Sequence, residues 1–199
     1  MAITYPRDFP TINGQTIIEK MTIRQKSATV VQQSPYSYHQ QVHDFGGIRW
    51  EAEVTIRPLT HDEALVFQGF LASLQGQKFT FLMGSPLWTS DNADNDVEVS
   101  QATDAGDETM QIRVATLREV KAGQFFEMDQ QLYMFLEDQG TTTGTTLKIT
   151  PPTRKDYTAA TDCITNLPVG TWRLATSDVN WDISKASLYG FTFACVEAL

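Results

Sequence analysis

Three histidines, two cysteines and twenty-four carboxylates are the side chains of this 199-residue chain best suited to ligating a metal or moving a proton. His39 and His43 fall on one face of an extended segment, with Asp44 beside them, and could begin a metal site. No motif places a third ligand, so the pair reads as polar surface histidines. Asp91, Asp94, Asp96 and Glu98 space their carboxylates like a calcium loop, but an EF-hand needs Gly at its sixth position and Glu at its twelfth. Counted from Asp91 those positions are Asp96 and Ala102, and from Asp94 they are Val99 and Ala105, so the run reads as a solvated loop. His61 heads a helical segment, and no Gly-x-Ser-x-Gly elbow accompanies it. Gly46-Gly47 and Gly140 to Gly144 match neither phosphate-binding glycine pattern and read as turns. Glu51 and Glu53, flanked by Arg49 and Arg57, read as a solvent-facing charge ladder on a strand. Trp88, before a polar stretch, is the aromatic residue placed to stack on a sugar, with core packing as its other reading. No catalytic, cofactor-binding or metal-ligating residue is assigned, and the expectation is a protein that is not an enzyme.

Composition narrows the partners. The chain carries 15 basic and 24 acidic residues, a net charge of −9, which opposes specific nucleic-acid binding because phosphate contacts require a basic patch. With 41% hydrophobic residues it has ordinary means to build a core. Cys163 and Cys195 are too few for a cysteine-rich zinc site and read as buried reduced thiols, a disulfide being the other reading. The first ten residues lack the charged-then-apolar order of a signal peptide, and no apolar run reaches membrane-spanning length. The expectation is a protein made in the cytoplasm, with no membrane partner.

The elements that would position these groups are mostly strands. Ile48 to Arg57 alternates strictly: Ile48, Trp50, Ala52, Val54 and Ile56 share one face, while Arg49, Glu51, Glu53, Thr55 and Arg57 share the other. Weaker alternation marks strands at 17–23, 28–32, 79–83, 110–114, 124–128, 132–137, 146–150, 171–175 and 188–196. One segment, about 60–75, has helical spacing at Phe67, Phe70, Leu71 and Leu74. Thr60 and Glu63 supply a capping box there, and Gly76 a left-handed stop.

Two breaks divide the chain: an acidic polar stretch at 89–108 and the prolines at 151–152. The expected architecture is mainly β, a β-sandwich with one α-helix and an inserted small OB-like β-barrel. The sandwich is assigned to 1–90 plus 170–199, and the barrel to 95–168. The first thirteen residues read either as an arm reaching a neighbour or as a disordered terminus.

Several stretches together carry a resemblance. They are Gly47 through Leu59, Asp62-Glu63-Ala64, Phe70 to Gly76 and Phe79 to Pro86, followed by Lys121 to Phe126, Leu132 to Phe135, Leu147 to Arg154, and the ending Tyr189 to Ala198. Together they resemble the distal tail or baseplate ring proteins of tailed bacteriophages, over about three quarters of the chain. The resemblance implies a structural virion protein forming a homohexameric ring at the distal tail, contacting the tail tube protein and the tail hub or tip protein. Terminator and tube proteins are also small ring-forming β proteins, so another tail position stays open. It carries over no catalytic residue. The competing expectation is a carbohydrate-binding module that touches host surface glycans through Trp88 or the barrel.

Overall fold

The computed structural model describes residues 3–85, 97–114, 119–139, 144–178 and 188–199. The fold is mainly β with one helix, as the alternation predicts. Among the described residues thirteen strands occur in chain order: β1 Arg7–Asp8, β2 Thr11–Ile12, β3 Gln15–Thr16, β4 Ile18–Gln33 and β5 Gln40–Leu59 precede the helix α1 His61–Ser73. After it come β6 Phe81–Gly84, β7 Val97–Val99, β8 Thr109–Val114, β9 Phe125–Met128, β10 Gln131–Phe135, β11 Thr145–Thr150, β12 Val169–Leu174 and β13 Tyr189–Glu197.

A six-stranded sheet in the order β1-β6-β12-β13-β5-β4 forms the main layer. Its pairs are antiparallel except for the two-residue contact of β1 with β6. Trp50, Ala52, Val54 and Ile56 are buried on the predicted face, in register with Phe193 and Cys195 of β13. α1 covers part of that face with Ala64, Phe67, Phe70 and Leu71, and Phe67 meets Phe191 edge to face at 5.0 Å. The helix starts where the sequence places it. Thr60 and Glu63 form the capping box, with Thr60 N–H donating to Glu63 Oε2 at 2.8 Å. It stops at Leu74, followed by Gln75 and Gly76 at φ 51° and 66°. A Cβ on Gly76 would lie 2.6 Å from the Ser177 carbonyl oxygen, so only glycine fits that approach.

The second sheet, β7-β8-β11-β10-β9, curls on itself. Residues 160–164 link its two edges: Cys163 N donates to Val97 O and Ala160 N to Val99 O, while Ile164 and Glu127 exchange main-chain bonds at 2.8 and 2.9 Å. Both ends of the curl are thereby hydrogen-bonded, which leaves a barrel with its own core of Val97, Val99, Met110, Ile112, Phe126, Met128, Tyr133, Phe135, Leu147 and Ile149. This barrel also contributes to the main core. Leu132 packs with Trp50 and Trp172, and Trp50 Nε1 donates to Leu132 O at 2.9 Å.

Residues 3–16 are neither a reaching arm nor a loose terminus. Tyr5 stacks on Phe79 at 3.9 Å and donates to Ser73 O at 2.6 Å, while Phe9 packs among Phe67, Phe70, Phe81 and Phe193. Asn13-Gly14, both at positive φ, turns the β2-β3 hairpin, a turn type that favours this dipeptide. Tyr5 and Phe9, four residues apart, are held against the helix and the strand beside it because burying their rings is favoured over leaving them in water.

Candidate interaction site

The residues expected to form two short strands at 17–23 and 28–32 are one sixteen-residue strand, β4, and its partner β5 runs for twenty. No Pro or charge interrupts 27–33, so nothing in the chain stops the ladder. β13 covers β5 only from Glu51 to Leu59. Among the described residues β4 and β5 continue beyond that point as a two-stranded ribbon with no third strand, paired from Ser27 with Ile48 out to Gln33 with Gln40. At about 3.3 Å per residue the ribbon projects roughly 25 Å.

A register shift between Ser27 and Thr29 marks a bulge, where Gly46 at φ 71° donates its N–H to Asp44 Oδ1 at 2.9 Å. The tip is closed by Ser34 N–H to His39 O and Tyr38 N–H to Ser34 O, each 3.0 Å. Tyr36 is 95% exposed and Phe45 73%, and Val30, Val31, Tyr38 and Val42 are exposed with them. A two-stranded ribbon is marginal in water and presents open N–H and C=O edges, so this arrangement calls for a partner on its edges or faces. From Ser27 to His43 there is no Asp, Glu, Lys or Arg, which removes the charges that normally guard an exposed edge.

The sequence-selected groups are dispersed. His43 pairs across the ribbon with Val30 and Asp44 with Thr29, His39 lies at the tip, and all three are exposed. Among the described residues no group of three or more His, Cys, Asp or Glu could hold a metal ion. His61 sits in the first turn of α1, its Nδ1 3.4 Å from the Tyr189 hydroxyl. Glu98 ion-pairs with Arg113 across β7 and β8. Trp88, Asp91, Asp94 and Asp96 lie outside the described residues. Cys163 is buried in the barrel core and Cys195 in the main core, both free, and burial raises both thiols above the ordinary range.

The charge ladder is only partly solvent-facing. Glu53 is exposed, but Glu51 is 7% exposed, covered by three cations: Arg24 at 3.1 Å, Lys26 at 3.3 Å and Arg49 at 2.8 Å. Hydrogen bonds from Arg49 and then Lys26 outweigh burial and hold its carboxyl below the usual range. Arg57 pairs instead with Glu63 at 2.8 Å, which with the Thr60 N–H lowers Glu63 to about 2. Alternation assigns Glu51 to the outer face correctly, yet it carries no information on what the long stems of neighbouring strands cover.

A second charged pair was not legible in the sequence. Glu197, 6% exposed, accepts Arg154 Nη2 at 2.7 Å, Arg154 Nε at 3.3 Å and the Trp50 N–H at 3.0 Å. Arg154 also donates to Ile48 O at 2.6 Å, so it ties the chain just after the barrel's last strand to the root of the ribbon. Burial raises Glu197 while Arg154 pulls it back. No protein-family model and no curated protein matches the chain.

Proposed function

We infer that the chain is a structural subunit of a phage tail, assembling with copies of itself into a ring at the distal tail between the tube and the tip hub. The observation that carries this reading is the projecting ribbon: charge-free from Ser27 to His43, with no further strand on either edge among the described residues, and studded with exposed Val, Tyr and Phe. Such a surface is unstable against association, and in a virion subunit association is the function. The two ends of the six-stranded sheet differ, long β4 at one and two-residue β1 at the other. A contact that sets the β4 end of one copy against the β1 end of the next is head-to-tail, the kind that closes rings. The sequence resemblance to tail ring proteins supplies the position along the tail and the neighbours, the tube and hub proteins. On this reading the virion is where the protein works, after synthesis in the host cytoplasm.

The test shortens the ribbon. Joining Ser27 to Ile48 through Asn-Gly removes 28–47 and keeps every β5 residue that β13 covers. Mass measured by light scattering is expected to show the full chain above its 22.3 kDa monomer, with six copies near 134 kDa, and the shortened chain as a folded monomer. Purified virions should contain the protein. A full chain that is monomeric at every concentration and missing from virions would overturn the reading.

A further inference from the structure

Where the ribbon leaves the sheet, the register sets Arg24 opposite Glu51 and Lys26 opposite Arg49. All four lie on the face away from Trp50 and Ala52, because β-strand residues alternate. Like charges directly across two strands repel. Here one carboxylate, Glu51, serves three cations, which leaves the block with two positive charges in excess. The carboxylate is covered, whereas the side chains of Arg24, Lys26 and Arg49 are 74%, 61% and 43% exposed, so their remaining donors face outward.

This excess is out of keeping with the rest of the molecule. Residues 18–53, which span the block and its carboxylate, contain four basic and four acidic side chains and are neutral, while the remainder contains eleven basic and twenty acidic. The block also borders a cleft. Lys26, Ala28, Ile48, Arg49 and Arg154 line a hollow of about 270 Å³, which adjoins a second of about 530 Å³ that shares Arg154. Gln131 lines the second hollow, and its buried Oε1 has no hydrogen-bond partner, an acceptor suited to a main-chain N–H from outside.

We propose that the block of Arg24, Lys26 and Arg49 around Glu51 is a docking site for an acidic surface of a second copy of this chain. The proposal rests on the ring reading and names its electrostatic contact. A partner carboxylate placed beside Lys26 and Arg49 relieves their mutual repulsion, and the acidic remainder of a neighbouring copy supplies such groups in quantity. The contact fixes the register at which the uncharged ribbon, which has little register information of its own, lies against the neighbour. A long polyanion such as nucleic acid fits less well, since the surrounding molecule repels it.

Sedimentation velocity on the full chain tests the site. The wild-type association constant should fall at least about tenfold between roughly 0.05 and 0.5 M NaCl, because exposed charges are screened beyond a few ångströms at the higher salt. R24Q/K26Q should associate at least about tenfold more weakly at low salt and lose most of the salt dependence. K78Q/K148Q, which removes the same charge from exposed positions outside 18–53, should stay within about twofold of wild type. Thermal melts confirm that each variant is folded. Assembly that is salt-independent, or that R24Q/K26Q leaves unchanged, overturns this proposal and leaves the ring reading standing. A wild-type chain that never associates overturns both.

Discussion

Replacing Arg154 by Met separates the charge of the Arg154–Glu197 pair from its packing. Met keeps most of the apolar stem but removes both bonds to Glu197, a carboxylate 6% exposed whose remaining hydrogen-bond donor among the described residues is the Trp50 N–H. Breaking a buried pair on one side costs about 3–5 kcal/mol. At roughly 2–4 °C per kcal/mol for a chain of this length, the midpoint should fall by about 6–20 °C at about pH 7.5. The pH dependence follows from the direction of the shift. A carboxyl whose folded pKa is raised contributes stability that is fully present below its unfolded value and is lost as pH rises through its folded value. Glu197 is raised by burial, with Arg154 foremost among the groups pulling it back. Removing Arg154 raises it further, so the penalty should be smaller near pH 5 than at about pH 7.5, because acidification lets the carboxyl of the variant take up a proton. With the carboxyl protonated, only the lost hydrogen bonding remains, about 1–2 kcal/mol. Glu197→Gln in the Arg154→Met background should likewise recover most of the loss at about pH 7.5, since no charge is then left buried. Thermal and urea melts of wild type, R154M and R154M/E197Q at the two pH values measure this. A penalty of equal size at both pH values and in both variants would refute the argument, and would assign the role of Arg154 to packing and to its bond with Ile48 O.

Thr60→Ala should lower stability by about 1 kcal/mol, a few degrees in a melt, because it removes one half of the capping box at α1. Cys163 and Cys195 should both resist a disulfide reagent in the native protein and both react in guanidinium, as buried thiols with raised pKa do. Excising 96–167 with a short Gly linker should leave a chain that retains β structure by circular dichroism yet melts at least about 10 °C lower, for it strips Leu132 from the main core and leaves Trp50 Nε1 without its acceptor. An excised chain as stable as the whole would show that the main core does not need the barrel.

Much of this fold follows from local pattern. The strict alternation of Ile48 to Arg57 determined which face of β5 is buried, and Thr60, Glu63 and Gly76 bracketed α1 to within two residues. The strands at 110–114, 124–128 and 146–150 were legible for the same reason, since side-chain period is a property of a few consecutive residues. The Asn13-Gly14 dipeptide carries the signal of the β2-β3 hairpin, which the reading of an arm or a disordered terminus missed.

What a strand lies next to is a different kind of fact. A strand at 28–32 and an extended segment at 39–43 were expected from the sequence, with Gly46-Gly47 as a turn, but only the tertiary structure decided that these residues join one long ladder and that β13 pairs with β5 no further than Glu51. Glu51 and Glu53 are indistinguishable in pattern, and the stems of Arg24, Lys26 and Arg49 bury one and not the other. Arg154 and Glu197 are 43 residues apart in the chain and meet only because the curled second sheet packs over the end of the first. Periodicity reports which way a side chain points from its own strand. Neighbours, coverage and unpaired edges are set by how distant segments come together, and those are the features on which this protein's proposed assembly depends.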